Sequence, residues 1–189
     1  MTLKNQILIE YENEIKKLLA VYTGGESFFN HLDEAIRQNL PLIHLLFEKL
    51  RAEYPESHFV LTGAFGQTVL HKTAYLSEND LVVSGNLRKG KNLDLRAYKW
   101  KIAGKSYVFV DDSYYSGTTY NCIKNAIGSV GGKIDAIAVC YDGSLKKRED
   151  LMSFYRYYDH FAASLEDSME VKCWVKHRKD DCYESRRLH

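Results

Sequence analysis

Proline is scarce in this chain, two among 189 residues, and no repeat, low-complexity stretch or linker divides it. With 45% hydrophobic residues, that length has the apolar content of one compact domain with a sizeable core. An excess of one charge is also missing: 26 basic against 25 acidic side chains leave a formal net charge of +1, so no global field recruits nucleic acid or anionic lipid. A local basic patch stays open. The four cysteines, Cys122, Cys140, Cys173 and Cys182, include no Cys-x-x-Cys pair, and the seven histidines no His-Glu-x-x-His, which argues against structural zinc and a disulfide framework. Long hydrophobic runs are absent as well. Met1-Thr2-Leu3-Lys4-Asn5-Gln6 leads into a charged amphipathic segment, so neither a signal peptide nor a membrane span is expected and a cytoplasmic location is the default.

What is present alternates between helix and strand patterns. Leu3, Ile7, Leu8, Tyr11, Ile15, Leu18, Leu19 and Tyr22 fall at helical spacing, and Gly24-Gly25 stops the run. Helices around Phe28 to Arg37 and Pro41 to Arg51 follow, the proline suiting a first helical turn. His58-Phe59-Val60-Leu61-Thr62 reads as the first core strand, breaking at Gly63-Ala64-Phe65-Gly66 before a helix to about Leu76, and Leu81-Val82-Val83 as a short strand. Residues 84 to 105 are charged, carry three glycines and alternate at Leu93, Leu95 and Ala97, the pattern of a mobile hairpin or loop. Later come a strand from Ile134 to Tyr141, a helix over 147 to 165 and a last strand at Val171 to Val175. Such alternation predicts an α/β fold with a central parallel sheet flanked by helices. Its parts are an N-terminal helical segment (1–56), a core (57–143) and a C-terminal helix and strand (144–189).

The most informative stretch is Tyr107-Val108-Phe109-Val110-Asp111-Asp112-Ser113-Tyr114-Tyr115-Ser116-Gly117-Thr118-Thr119. Four apolar residues make a strand buried on both faces, which delivers two carboxylates to its carboxyl end, where open α/β sheets place their ligands. A turn with Gly117 free to take positive φ then enters a helix from Tyr120 to Ile127. Amides at that helix start, with the hydroxyls of Ser116, Thr118 and Thr119, suit a phosphate dianion. Asp111 and Asp112 would repel the same phosphate, so they need ribose hydroxyls or a ligand-borne magnesium ion. Capping alone would require only one acid.

This stretch closely resembles the thirteen-residue phosphoribosyl-pyrophosphate (PRPP) motif of type I phosphoribosyltransferases: four mostly apolar residues, two acids, a variable trio, then small-Gly-Thr-Thr. Its ending looks most like the amidophosphoribosyltransferase version, without their glutamine-hydrolysing half. The resemblance covers roughly residues 57 to 143 and implies a Rossmann-like phosphoribosyltransferase fold. It further implies PRPP and Mg2+ as ligands, transfer of the phosphoribosyl group to a nitrogenous acceptor with release of pyrophosphate, and a homodimer. Asp111 and Asp112 would be the catalytic and ribose-binding pair, possible contacts of the magnesium. Ser113, Tyr114, Tyr115, Ser116, Gly117, Thr118 and Thr119 would complete the ribose phosphate cradle. Pyrophosphate would lie on the loop after the first strand (Ala64, Phe65, Gly66), which departs from the commoner paired-glycine form, and on a basic residue of a flexible loop, with Arg88, Lys89 and Lys91 as candidates. Where base-salvage members have an acid near the purine ring, this chain has Tyr115 after Tyr114, and a phenol is a poor general base near neutral pH. Orotate, purine, uracil and amine acceptors all stay open.

Two other readings compete. A PRPP- or nucleotide-binding module without turnover would keep the phosphate turn and lack a competent pyrophosphate loop. Nucleic-acid binding could use Lys146-Lys147-Arg148 and Arg186-Arg187 with Tyr155, Tyr157 and Tyr158 interleaved, although Phe154, Tyr157, Tyr158 and Phe161 also have the spacing of a buried helix face. Gly85 to Asn92 approaches a Walker A loop, but Asn92 stands where the magnesium-binding Ser or Thr belongs.

Overall fold

The structure, a computed structural model, describes residues 2–21, 25–84, 93–144 and 148–156. Three helices come first: α1 (Leu3–Val21), α2 (Gly25–Gln38) and α3 (Leu40–Glu53). The Asn39 side chain accepts the amide of Leu42 at 3.1 Å to start α3, and Pro41 sits in its first turn, where a missing N–H costs nothing. Then follow β1 (His58–Thr62), α4 (Gly63–Lys72), β2 (Leu81–Val83), a 3-10 turn (Arg96–Tyr98), α5 (Lys99–Ile102), β3 (Ser106–Tyr114), α6 (Thr118–Ser129), β4 (Lys133–Asp142) and β5 (Leu151–Arg156).

The five strands of the described residues are parallel, in the order β2-β1-β3-β4-β5. The chain therefore travels outward from β1 in one direction and from β3 in the other. On one face of the sheet, Phe29, Leu32, Ile36, Leu42, Leu46, Phe65 and Val69 pack against Val108, Val110, Ala138 and Cys140. On the other, Ile102, Tyr120, Ile123 and Ile127 cover Tyr107, Phe109, Ile137 and Val139. Helices α1 to α4 thus cover one side and α5 and α6 the other. The edge pair is tied at its base by buried Asp80, whose carboxylate accepts the amides of Phe59 (2.6 Å) and Ser77 (2.7 Å). Among the described residues no helix is long and apolar enough to cross a membrane.

The predicted sheet, its parallel sense and the flanking helices are present. Four local expectations need correction. Residues 151–156, predicted helical, form β5, which pairs with β4 at Ile137↔Leu151 and Tyr141↔Tyr155; the aromatic spacing that suggested a helix extends into residues outside the described ones. The helix after β1 stops at Lys72 rather than near Leu76, because Thr73 turns extended. Within the predicted hairpin or loop, Arg96 to Ile102 are helical, while 85–92 lie outside the described residues. The motif strand runs on through Tyr114, so both acids and Ser113 belong to β3 itself. The last predicted strand, Val171 to Val175, lies outside the described residues.

Candidate functional site

Because β1 and β3 are neighbours whose following helices leave on opposite faces, a crevice opens at their carboxyl ends, the switch point where open α/β sheets bind ligands. Asp111 stands at that point. Its Oδ2 accepts the Thr62 hydroxyl at 3.0 Å and its Oδ1 accepts the Asp112 amide at 3.0 Å. Thr62 occupies the cap position of α4 but caps nothing with its side chain; its hydroxyl is committed across the crevice instead. Burial is the main reason the Asp111 carboxyl is raised to about 7, partly offset by these two donors.

Asp112 points into the helical layer. Its Oδ2 accepts Arg37 Nη1 at 2.7 Å and its Oδ1 the Ser113 amide at 2.9 Å. Burial and the neighbouring carboxylates of Asp33 and Asp111 push its pKa well up, and Arg37 pulls against them. Arg37 also holds Glu34 at 2.9 Å through Nη2. One turn earlier on α2, buried Asp33 accepts the hydroxyls of Ser113 (2.5 Å) and Tyr115 (2.8 Å), while the Tyr115 ring meets Phe29 edge-on at 4.5 Å. The carboxyl end of β3 is thus bolted to α2 by a polar network of two acids, a guanidinium and two hydroxyls.

Beyond it the chain turns. Gly117 takes φ +77°, in the left-handed region, and a Cβ there would stand 2.3 Å from the Tyr114 hydroxyl. Ser116 and Thr118 hydroxyls lie 2.9 Å apart, the Ser116 hydroxyl also accepts the Thr118 amide at 3.5 Å, and α6 begins at Thr118 after Gly117, which has no side chain to cap it. Amides at its start face the sheet's carboxyl edge. Tyr114 is buried beneath this turn, with Arg148 Nη1 donating to its hydroxyl at 3.3 Å and the guanidinium lying 5.7 Å from its ring.

The segment read as the pyrophosphate loop is the first turn of α4. Phe65 is buried in the core, and Gly66 packs so closely that a Cβ would meet Val82 Cγ1 at 3.1 Å and Leu61 Cβ at 3.2 Å; Ala64 is exposed. Arg88, Lys89 and Lys91 lie outside the described residues, as do Lys146, Lys147, Tyr157, Tyr158, Arg186 and Arg187. Arg148 is bidentate to Asp150 (2.9 and 2.6 Å), and Tyr155 is buried, so neither is a free surface for stacking on bases. Sequence reasoning missed Thr62, Asp33 and Arg37. Asp33 had a signal: it shares a helical stripe with Phe29 and Ile36, an acid on an apolar face. Among the described residues no three His, Cys, Asp or Glu side chains are arranged to hold a metal ion.

No protein-family model matches this chain, and no curated protein matches it by sequence. Solved structures do. A hypoxanthine-guanine phosphoribosyltransferase of Bacillus anthracis is 15% identical with a TM-score of 0.40, over 66% of this chain and 78% of that one. A purine phosphoribosyltransferase of Pyrococcus horikoshii is 19% identical with a TM-score of 0.43, over 61% and 81%. A Mycobacterium tuberculosis orotate phosphoribosyltransferase in complex with PRPP is 16% identical with a TM-score of 0.40, over 68% and 89%. Each is a distant likeness of architecture.

Proposed function

We infer that this protein binds PRPP at the crevice between β1 and β3 and transfers its phosphoribosyl group to a nitrogenous acceptor, releasing pyrophosphate. The observation that carries this reading is the placement of Asp111 at the switch point, beside a glycine turn and the start of α6, within a run that has the PRPP motif's order of residue types. The Ser116 and Thr118 hydroxyls and the amides at the start of α6 would take the 5-phosphate, an anion at a helix N-terminus. Asp111 and Asp112 would take the ribose hydroxyls. Amides of the first turn of α4, at Gly63 and Ala64, are available to the pyrophosphate in place of a separate loop.

Breaking the C1–O bond sends its electron pair out with pyrophosphate and leaves oxocarbenium character on the ribose. The acceptor nitrogen supplies the pair that forms the C1–N bond, and its proton leaves to solvent or to a neighbouring base. The chain supplies no nucleophile; it holds phosphate and sugar so that C1 faces the acceptor, which is an orientation effect. Magnesium, entering with the ligand, would neutralise charge on the departing pyrophosphate. The donor set fits that role and not a resident ion: magnesium needs about six oxygens, the described residues bring no three-ligand group, and Asp111 has no cation partner among them.

A second reading, a PRPP- or nucleotide-binding module without turnover, is favoured by one feature. The segment after β1 is a packed helical turn with Phe65 and Gly66 in the core, leaving few groups for a leaving pyrophosphate. Calorimetry with PRPP and magnesium tests both, since absence of binding removes each. Release of pyrophosphate across orotate, purines, uracil and simple amines then separates them: release with any acceptor supports the transferase, and none, with PRPP bound, supports the module.

A further inference from the structure

Arg37 is not explained by the motif. It comes from α2, 75 positions before its partner, and its guanidinium is bonded to Asp112, the second acid of the doublet. The pair lies at a boundary: the Arg37 side chain is 20% exposed and that of Asp112 10%. On its outer side Arg37 pairs, among the described residues, with Glu34, whose side chain is 57% exposed, a contact water readily replaces. The five N–H donors of the fork therefore exceed these contacts, and its side chain is partly open to solvent. Asp33 and Asp111 also stand close enough to Asp112 to push its pKa up, so an anionic ligand entering beside this cluster needs a cation to answer it.

We propose that Arg37 is an anion-binding residue of this site, held by Asp112 until a ligand bearing both a vicinal diol and a diphosphate exchanges the pair, the diol going to Asp112 and the diphosphate to Arg37. The inference rests on the PRPP reading and adds to it a specificity device. Opening a largely buried ion pair is costly when either charge is left alone. A ligand carrying only a sugar strands Arg37, and one carrying only diphosphate strands Asp112. A ligand with both groups replaces both partners at once, by charge-assisted hydrogen bonds to the guanidinium and by hydroxyl donors to the carboxylate. The free protein thus holds together, as a pair, the two halves of what it recognises.

The test uses the full chain with magnesium and three probes, PRPP, ribose 5-phosphate and inorganic pyrophosphate, titrated calorimetrically against wild type, Arg37→Gln, Arg37→Lys and Asp112→Asn. Wild type should prefer PRPP to either fragment. Arg37→Gln should weaken PRPP and pyrophosphate about tenfold or more, the scale of a lost charged hydrogen bond, while tightening ribose 5-phosphate because Asp112 is released. Asp112→Asn should do the reverse, tightening pyrophosphate and weakening ribose 5-phosphate. A pair that only braces the fold would shift every probe in the same direction in both variants, and that result overturns the proposal. Should Arg37→Gln fail to fold, Arg37→Lys decides: a severalfold loss for PRPP that spares ribose 5-phosphate supports it, equal losses sink it. If wild type binds none of the probes, the PRPP reading itself has failed.

Discussion

Asp111 gives the sharpest handle at the scale of single residues. Its carboxyl sits at about 7 in the fold, against about 3.9 in an unfolded chain. The native state therefore holds the proton more tightly, so this group's contribution to stability is full below about pH 4 and is lost as pH rises through about 7. Chemical denaturation at pH 5 and pH 8 should show that decline in wild type and a smaller one in Asp111→Asn. Affinity for a magnesium-bearing ligand should run the other way, rising through about pH 7 as the carboxylate ionises. Gly117→Ala is expected to destabilise by more than about 1 kcal/mol, the usual cost of a left-handed L-residue, with the Tyr114 contact added. On a Tyr114→Phe background, which removes the hydroxyl standing 2.3 Å from the new Cβ, the loss should shrink without vanishing, since φ is unchanged. Both acids and the glycine were legible because they lie within one contiguous run. Asp33 showed only as an acid on an apolar stripe and Arg37 not at all, since their partners Ser113 and Asp112 stand 80 and 75 positions away, and only the fold brings them together.

Among the elements, α2 is where the candidate site was least readable. The sequence predicted a helix around Phe28 to Arg37, and nothing in that prediction says that its buried face, Phe29, Leu32 and Ile36, closes over the end of β3. Asp33→Ala removes the acceptor shared by the Ser113 and Tyr115 hydroxyls and is expected to cost about 1–3 kcal/mol in all. Hydrogen exchange should show the amides of α2 opening more readily than those of α3 in that variant; equal protection would mean that the apolar contacts alone seat the helix. The strand β5 was missed for a different reason. It is six residues long, and the helical spacing of Phe154 with Tyr157, Tyr158 and Phe161 outweighed the short aromatic run Phe154-Tyr155 that suits a sheet edge. β1, β3 and β4 were legible because consecutive apolar residues with glycine boundaries have few other readings.

At the scale of the whole molecule, the described residues form one sheet with a separate core on each side. Leu46→Ala, beneath the first helical layer, should cost about 2–5 kcal/mol, and Ile127→Val, beneath α6, about 0.5–1.5 kcal/mol. With the sheet between them and no shared neighbours, the double variant should equal the sum within about 0.5 kcal/mol by denaturant titration. The order β2-β1-β3-β4-β5 carries a further consequence. The cleft between β1 and β3 is produced by the route of the backbone, which parts there to opposite sides, so it persists whatever side chains decorate its rim. Exposed rim positions such as Ala64 can therefore be rewritten to favour new small molecules at little risk to the architecture, and a lineage built on this plan can change its chemistry without rebuilding its frame.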